Sequence, residues 1–325
     1  MPAFVARRFL QSLAVLVAMS LLVFAGVYAV GNPIDILINP QADQAEIARA
    51  VAALGLERPL IEQYFLFLGN AVRGDLGRSF AFNVPALGLI LERMPATLEL
   101  ASAAMLISVL AGIPLGLFAG VRPESAAGKS IMAGSILGFS LPSFWVGLLL
   151  IMVFSVHLGW LPSAGRGPTT DLFGVPVSFL SIEGWRHLAL PAANLALFNL
   201  ALVIRLARAG TREALAQDYV RFARAKGLTE ARIVGVHVLR NVLVPIVTVV
   251  GVEFGSVIAF AVVTESIFSW PGMGKLLIDS INVLDRPVIV GYLCIVVTLF
   301  VAINLIVDLL YSWLDPRARS GGATA

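Results

Sequence analysis

Residues 242–264 read VLVPIVTVVGVEFGSVIAFAVVT, 23 positions with one ionisable side chain, Glu253, near their centre. A helix of about 20 apolar residues crosses the hydrocarbon core of a bilayer. The stretch therefore reads as a membrane span that carries one carboxylate in its middle. Lipid offers no partner to a bare backbone amide, so a helix is the form such a run takes.

The same reading applies five more times outward from there. Residues 9–31, 100–121, 131–156 and 287–307 are uncharged, and the shorter run 188–204 is closed by Arg205. The chain is 58% hydrophobic and 13% charged, whereas soluble domains average about 45–50% apolar and about 25% charged. These features exclude a soluble enzyme or binding module. They predict an all-α integral membrane protein with six transmembrane helices. The first run follows Arg7 and Arg8, as a secretory signal would. It is longer than the roughly 7–15 apolar residues of a signal, and Val27-Tyr28-Ala29 is a poor cleavage site, so it reads as an uncleaved helix.

Lys and Arg near span ends set orientation. With the N-terminus inside, Arg7, Arg8, Arg122, Lys129, Arg205, Arg208, Arg212, Arg221, Arg224, Lys226, Arg232, Arg240, Arg317 and Arg319 are cytoplasmic, 14 of 23. N- and C-termini are thus expected in the cytoplasm. Four parts follow: an N-terminal segment and first span (1–31), an extracytoplasmic helical subdomain (32–95), a permease core of five helices (96–315) and a cytoplasmic tail (316–325). The core includes a cytoplasmic loop at about 209–240. Within 32–95, Asp43-Gln44-Ala45-Glu46 has capping-box spacing. Ile47, Val51 and Leu54 then share one face, and Gly55 suits the helix end. A second helix is expected from Pro59, with Leu60, Tyr64, Phe67 and Leu68 as its stripe.

Catalytic chemistry is missing. Gly128-Lys129-Ser130 ends like a phosphate loop, but Pro123 stands where the first glycine must be. Gly272-Met273-Gly274 lacks the third glycine of a dinucleotide fingerprint. His157, His187 and His237 are isolated, and no pair has metal-site spacing on one helix. The lone Cys294 forms no internal disulfide. The basic residues lie beside spans without an aromatic stacking surface, which argues against nucleic acid. Membrane lipid is the expected surround. No cofactor is expected on this chain, and any ATP that drives transport must bind elsewhere.

The stretch 218–228, DYVRFARAKGL, is the charged exception between the fourth and fifth spans. On a helix, Tyr219, Ala223 and Lys226/Gly227 share a face, by offsets of three and four. Its small residues would let a partner approach, with Arg221, Arg224 and Lys226 as a charged rim. The competing reading is a loop whose cations merely fix topology.

Glu213-Ala214-Leu215, DYVRFARAKGL, Arg240-Asn241 and Pro245 together resemble the EAA loop of ABC importer permeases. More narrowly, the chain resembles the dipeptide/oligopeptide/nickel permease family, in its DppB-like, first-permease branch. GDLGRS (74–79), PATLEL (95–100), GWLPSAG (159–165), IFSWPGMG (267–274) and LDPR (314–317) fit that family in order and spacing. The resemblance implies a type I ABC importer permease fold in the bacterial cytoplasmic (inner) membrane, as a multi-pass, non-catalytic subunit. It implies as partners a second homologous permease, two ABC ATPase subunits that hold the ATP and Mg, and an extracytoplasmic substrate-binding protein. It further implies a coupling helix that docks on an ATPase, carried here by Glu213, Tyr219, Ala223, Arg224, Ala225, Lys226 and Gly227. The leading Glu-Ala-Leu departs from Glu-Ala-Ala. Di- and oligopeptides are the implied cargo. Nickel or glutathione fit the same architecture, because cargo choice resides largely in the binding protein. An ion-coupled secondary carrier using Glu253 and Asp308 would often show two related halves, and none is visible.

Ionisable groups within spans are functional candidates by default. Glu253 either faces the translocation path or hydrogen-bonds a neighbouring helix. Glu265, before SIFSWPGMG, is an outer gate or binding-protein contact by resemblance, and a solvated interfacial carboxylate otherwise. The SWPGMG loop is expected, with 32–95, on the surface facing the binding protein. Asn194 and Asn199 either stitch helices together or touch cargo. Trp145, Trp160, Trp185, Trp270 and Trp313 suit an interfacial belt.

Overall fold

The computed structural model describes residues 2–29 and 58–314. The capping box at Asp43–Glu46, its helix to Gly55 and the tail 316–325 lie outside the described residues.

Five described helices are long and apolar enough to cross a membrane, and a bent pair brings the number up to six. The long helices are α1 (Pro2–Ala29), α3 (Ala86–Val121), α6 (Ile182–Leu215), α8 (Glu230–Ile267) and α10 (Arg286–Leu314). The uncharged run 131–156, expected as one span, falls in α4 (Ala126–Ser140) and α5 (Ser143–His157), bent by 110° at their junction. Pro142 explains the break. A residue before proline is pushed out of the α region, and Leu141 is extended at φ −83, ψ 136. Gly128-Lys129-Ser130 simply builds the first turns of α4, where Ser125 Oγ accepts the Gly128 amide at 3.0 Å.

The chain divides into two compact units. The first takes its described residues from 2–94 and 272–305. In it α2 (Leu60–Val72) starts directly after Pro59. Tyr64 is the buried residue of its apolar stripe; its hydroxyl is 2.8 Å from Ser20 Oγ, and its ring meets Phe24 edge-on at 5.5 Å. The turn that begins at Ser79, the last residue of the string 74–79, holds the carboxylate of Asp285, which precedes α10. Ser79 Oγ donates to Asp285, as do the amides of Phe80 at 3.0 Å and Ala81 at 3.3 Å. Helix α9 (Met273–Asn282) belongs to this unit.

The second unit spans 95–271 and continues from 306. Within it α3 approaches α6 closely. Gly112, Gly116 and Gly120 stand one above another on α3. A Cβ at Gly116 would lie 2.5 Å from Ala207 Cβ and 2.6 Å from the Ile204 carbonyl, and one at Gly120 would lie 2.6 Å from Thr211 Cβ. Small residues at intervals of four let membrane helices approach backbone to backbone. Ser108 Oγ, 3.1 Å from the Ala196 carbonyl, adds a bond across the same contact.

At one end of this unit, Trp270 sits in a core with Ala96, Leu100, Leu188 and Ala192. The sequence places Trp270 in an interfacial belt, but it is fully buried. Its indole N–H donates to the Ala96 carbonyl at 2.8 Å, so the one polar atom of the ring keeps a partner inside. Of the SWPGMG loop only Ser269 is exposed, which leaves little of that loop as a free surface. Beside Trp270, Glu99 anchors the connection between α5 and α6, including the hairpin β1 (Thr170–Leu172)/β2 (Val175–Val177). Glu99 accepts from Arg166, Ser178 and Phe179 and is itself buried.

Candidate functional site

Two features stand out in the second unit, and the same two helices carry both. The first is a cavity of about 500 Å³ between α6, α8 and the α4–α5 break. Glu253 and Asn199 both line it, with Asn194, Ser143, Ser256 and Thr264 as the other polar side chains. Leu195, Phe198, Val257 and Phe260 supply apolar wall. Non-helical backbone at membrane depth is tolerated where it lines a cavity or is buried in protein, and Leu141 in the α4–α5 break is part of this lining.

The polar groups here differ in what they hold. Asn194 stitches α6 to α8, its Nδ2 donating to Thr264 Oγ1 at 3.0 Å. Its Oδ1 and the Oδ1 of Asn199 are buried without a hydrogen-bond partner. Glu253 is half-buried and makes no hydrogen bond or ion pair with a described residue. Glu265 does not join this set. It is fully buried and accepts from Thr97 Oγ1 at 2.6 Å, so in this conformation it offers no surface to a partner or cargo.

The second feature is the elbow between α6 and α8. Helix α7 (Asp218–Ala225) turns its Val220 and Ala223 into a core with Ala207, Ala214, Ile233, Val238 and Val242. Ala223 thus packs on its own chain, while Arg221, Phe222, Arg224 and Ala225 face outward. Phe222 is 70% exposed, an unusual position for a large aromatic side chain on a polar helix. Asn241 Nδ2 donates to the Tyr219 hydroxyl at 2.7 Å. Arg224 grips Glu230 with two bonds, Nε at 2.6 Å and Nη2 at 3.2 Å. That contact, hydrogen bond first and charge second, raises the Arg224 guanidinium above its ordinary pKa.

Gly227 ends α7. At φ +75 it takes the left-handed conformation, its amide bonds to Arg224 O at 2.9 Å, and Leu228 N bonds to Ala223 O at 3.2 Å. These are the two bonds of a Schellman cap. Gly227 and Lys226 are exposed, and Glu213 is exposed in the last turn of α6. The sequence brings Tyr219, Ala223 and Gly227 onto one face; the structure turns Ala223 inward and gives Gly227 the work of a cap. Phe222 was missed, because a lone aromatic among charges carries no periodic signal.

Residues 112–320 match the binding-protein-dependent transport system inner membrane component family, and residues 1–101 match its N-terminal counterpart. The chain belongs to this family of multi-pass inner-membrane permeases. It is 40% identical to the di/tripeptide transport system permease protein DppB of Pseudomonas aeruginosa (strain UCBPP-PA14), over 98% of this chain and 99% of that one. It is 39% identical to the oligopeptide transport system permease protein AppB of Bacillus subtilis (strain 168), again over 98% and 99%. A solved chain of the inward-facing MetNI methionine ABC transporter aligns with a TM-score of 0.53 at 14% identity, covering 70% of this chain and 97% of that one. That likeness is one of fold.

Proposed function

We propose that this chain is the permease subunit of an ATP-driven importer that moves di- and oligopeptides into the cytoplasm by alternating access. Two ABC ATPases, a second homologous permease and an extracytoplasmic binding protein complete the transporter, and ATP and Mg reside on the ATPases. Both termini and α7 lie on the cytoplasmic side, following the distribution of Lys and Arg. The observation that carries the reading is that α6 and α8 hold the elbow at one end and line the cavity farther along. A push on α7 is delivered to both helices through Val220 and Ala223, and those helices position Asn194, Asn199 and Glu253.

In this reading α7 is the coupling helix. Phe222 is its apolar anchor in an ATPase cleft, Arg221 and Lys226 are its rim, and Arg224–Glu230 and Tyr219–Asn241 keep it from swinging free. Glu213 and Ala225 flank the docking surface. The translocation path passes Glu253 and Asn199, while Glu265 braces the far end of α8. Peptide cargo is supported by the near full-length identity to peptide permeases.

The test is purification from native membranes followed by uptake in proteoliposomes. Two ATPases and a second permease should co-purify, and the complex plus binding protein should take up dialanine. A buried interfacial aromatic anchor is worth about 2 kcal/mol or more, so Phe222→Ser should weaken ATPase retention roughly thirtyfold. Isolation as a lone, fully active carrier refutes the importer reading. Uptake of nickel or glutathione in place of peptides refutes the cargo.

A further inference from the structure

From the unpartnered carboxylate on the cavity wall we infer that the cavity is a binding subsite for the free ammonium end of the transported peptide, with Glu253 as counter-ion. This inference rests on the peptide-import reading and adds which end of the cargo the membrane path recognises.

Three observations carry it. First, Glu253 lines the cavity half-buried and makes no hydrogen bond or ion pair with a described residue. A carboxylate at the centre of a span costs about 2.5–3.5 kcal/mol on insertion scales. No described residue offsets that cost, so the offsetting group is expected to come from outside the chain. Second, the lining is one-sided. Its one charged group is a carboxylate, joined by three hydroxyls and the amides of Asn194 and Asn199, and it holds no Lys, Arg or His. Asn194 Nδ2 is already engaged with Thr264. An ammonium has three N–H donors, no acceptor and a positive charge, which complements this wall. A peptide carboxylate would meet Glu253 with like charge and must point away. Third, size and surroundings fit. The cavity of about 500 Å³ falls within the roughly 300–1,000 Å³ of small-molecule sites. Its apolar wall of Leu195, Phe198, Val257 and Phe260 strengthens a charge-assisted bond.

A bare transition-metal cargo fits less well. Nickel favours imidazole and thiolate ligands, and the lining holds neither His nor Cys.

The experiment uses the whole membrane complex in nanodiscs, without binding protein, so that only the permease path selects. Saturation-transfer NMR titrations compare dialanine with N-acetyl-dialanine, which has the same body but no ammonium. A hydrogen bond to a charged group contributes about 1.5–3 kcal/mol, so dialanine should bind at least about tenfold more tightly. Glu253→Gln should reduce that preference to near unity while leaving N-acetyl-dialanine unchanged. Glu253→Leu, without charge or acceptor, should likewise abolish it, and it tests the same point should Glu253→Gln fail to assemble. Equal affinities in the wild type, no binding of dialanine at millimolar concentration, or a preference that survives both substitutions overturns the inference. Dialanine uptake by the complete wild-type transporter is measured alongside. Uptake without the ammonium preference sinks the subsite alone, whereas absence of uptake sinks the peptide reading.

Discussion

Replacing Glu99 with Leu would leave the Arg166 guanidinium inside the protein without a counter-charge. The two side chains are 4% and 9% exposed. Glu99 accepts Ser178 N at 2.8 Å, Ser178 Oγ at 2.7 Å and Phe179 N at 2.9 Å on one oxygen, and Arg166 Nε at 2.9 Å together with Arg166 Nη2 on the other. When the carboxylate is gone Arg166 retains the Pro176 carbonyl, at 2.6 Å, and the face of the Trp270 ring, 5.9 Å from its centroid, neither of which carries a counter-charge. Removing one member of a buried ion pair costs about 3–5 kcal/mol, most of it the desolvated charge left behind. The expectation for Glu99→Leu is therefore a loss of about 3–5 kcal/mol, measured by reversible denaturation of the purified permease in mixed micelles. Arg166→Met in the same chain removes the stranded charge. The double variant should recover at least about 2 kcal/mol, and it should keep a deficit of about 1–3 kcal/mol from the Ser178 and Phe179 amides. A Glu99→Leu loss below about 1 kcal/mol would refute the argument, as would a double variant that loses the sum of the two single ones.

Two further outcomes follow from the backbone. Gly116→Val should destabilise the second unit by about 1–3 kcal/mol, the usual range for overpacking, because the new Cβ has 2.5 Å to Ala207 and 2.6 Å to the Ile204 carbonyl. Gly134→Ala, inside α4 with nothing within 4 Å, is the control: it should not destabilise, and it should gain about 0.5–1 kcal/mol of helix propensity in the same denaturation assay. Gly227→Val should cost about 1–2 kcal/mol from its left-handed backbone alone, since no atom lies near its Cβ position. Hydrogen exchange should then show the Leu228 amide losing protection and α7 fraying, with uptake per ATP hydrolysed falling while membrane insertion stays intact.

Hydropathy made the spans legible because the bilayer fixes the length of an apolar helix regardless of what it packs against. It did not show the bend inside 131–156, where composition is uniform and only Pro142 marks the break. The stretch 218–228 was legible as a helix with a distinct face. Which face turned inward was not, because both Ala223 and Ala225 are small. Gly112, Gly116 and Gly120 did carry a readable signal, a four-residue repeat of small residues, and its meaning as a helix contact went unread. Trp270 misled because proximity to a span end says nothing about whether its indole N–H has a partner inside.

The sequence alone determined the class of protein: apolar runs long enough to cross a bilayer, no nucleotide site, and an ordered set of strings shared with peptide permeases. Only the tertiary structure decided which polar atoms face one another. It put Asn199 and Glu253 on one cavity wall, buried Glu265 against Thr97, and joined the elbow and the cavity through α6 and α8. The physical reason is that insertion into a membrane depends on properties summed along a helix, while recognition depends on the rotation of each helix and the breaks that let its side chains converge.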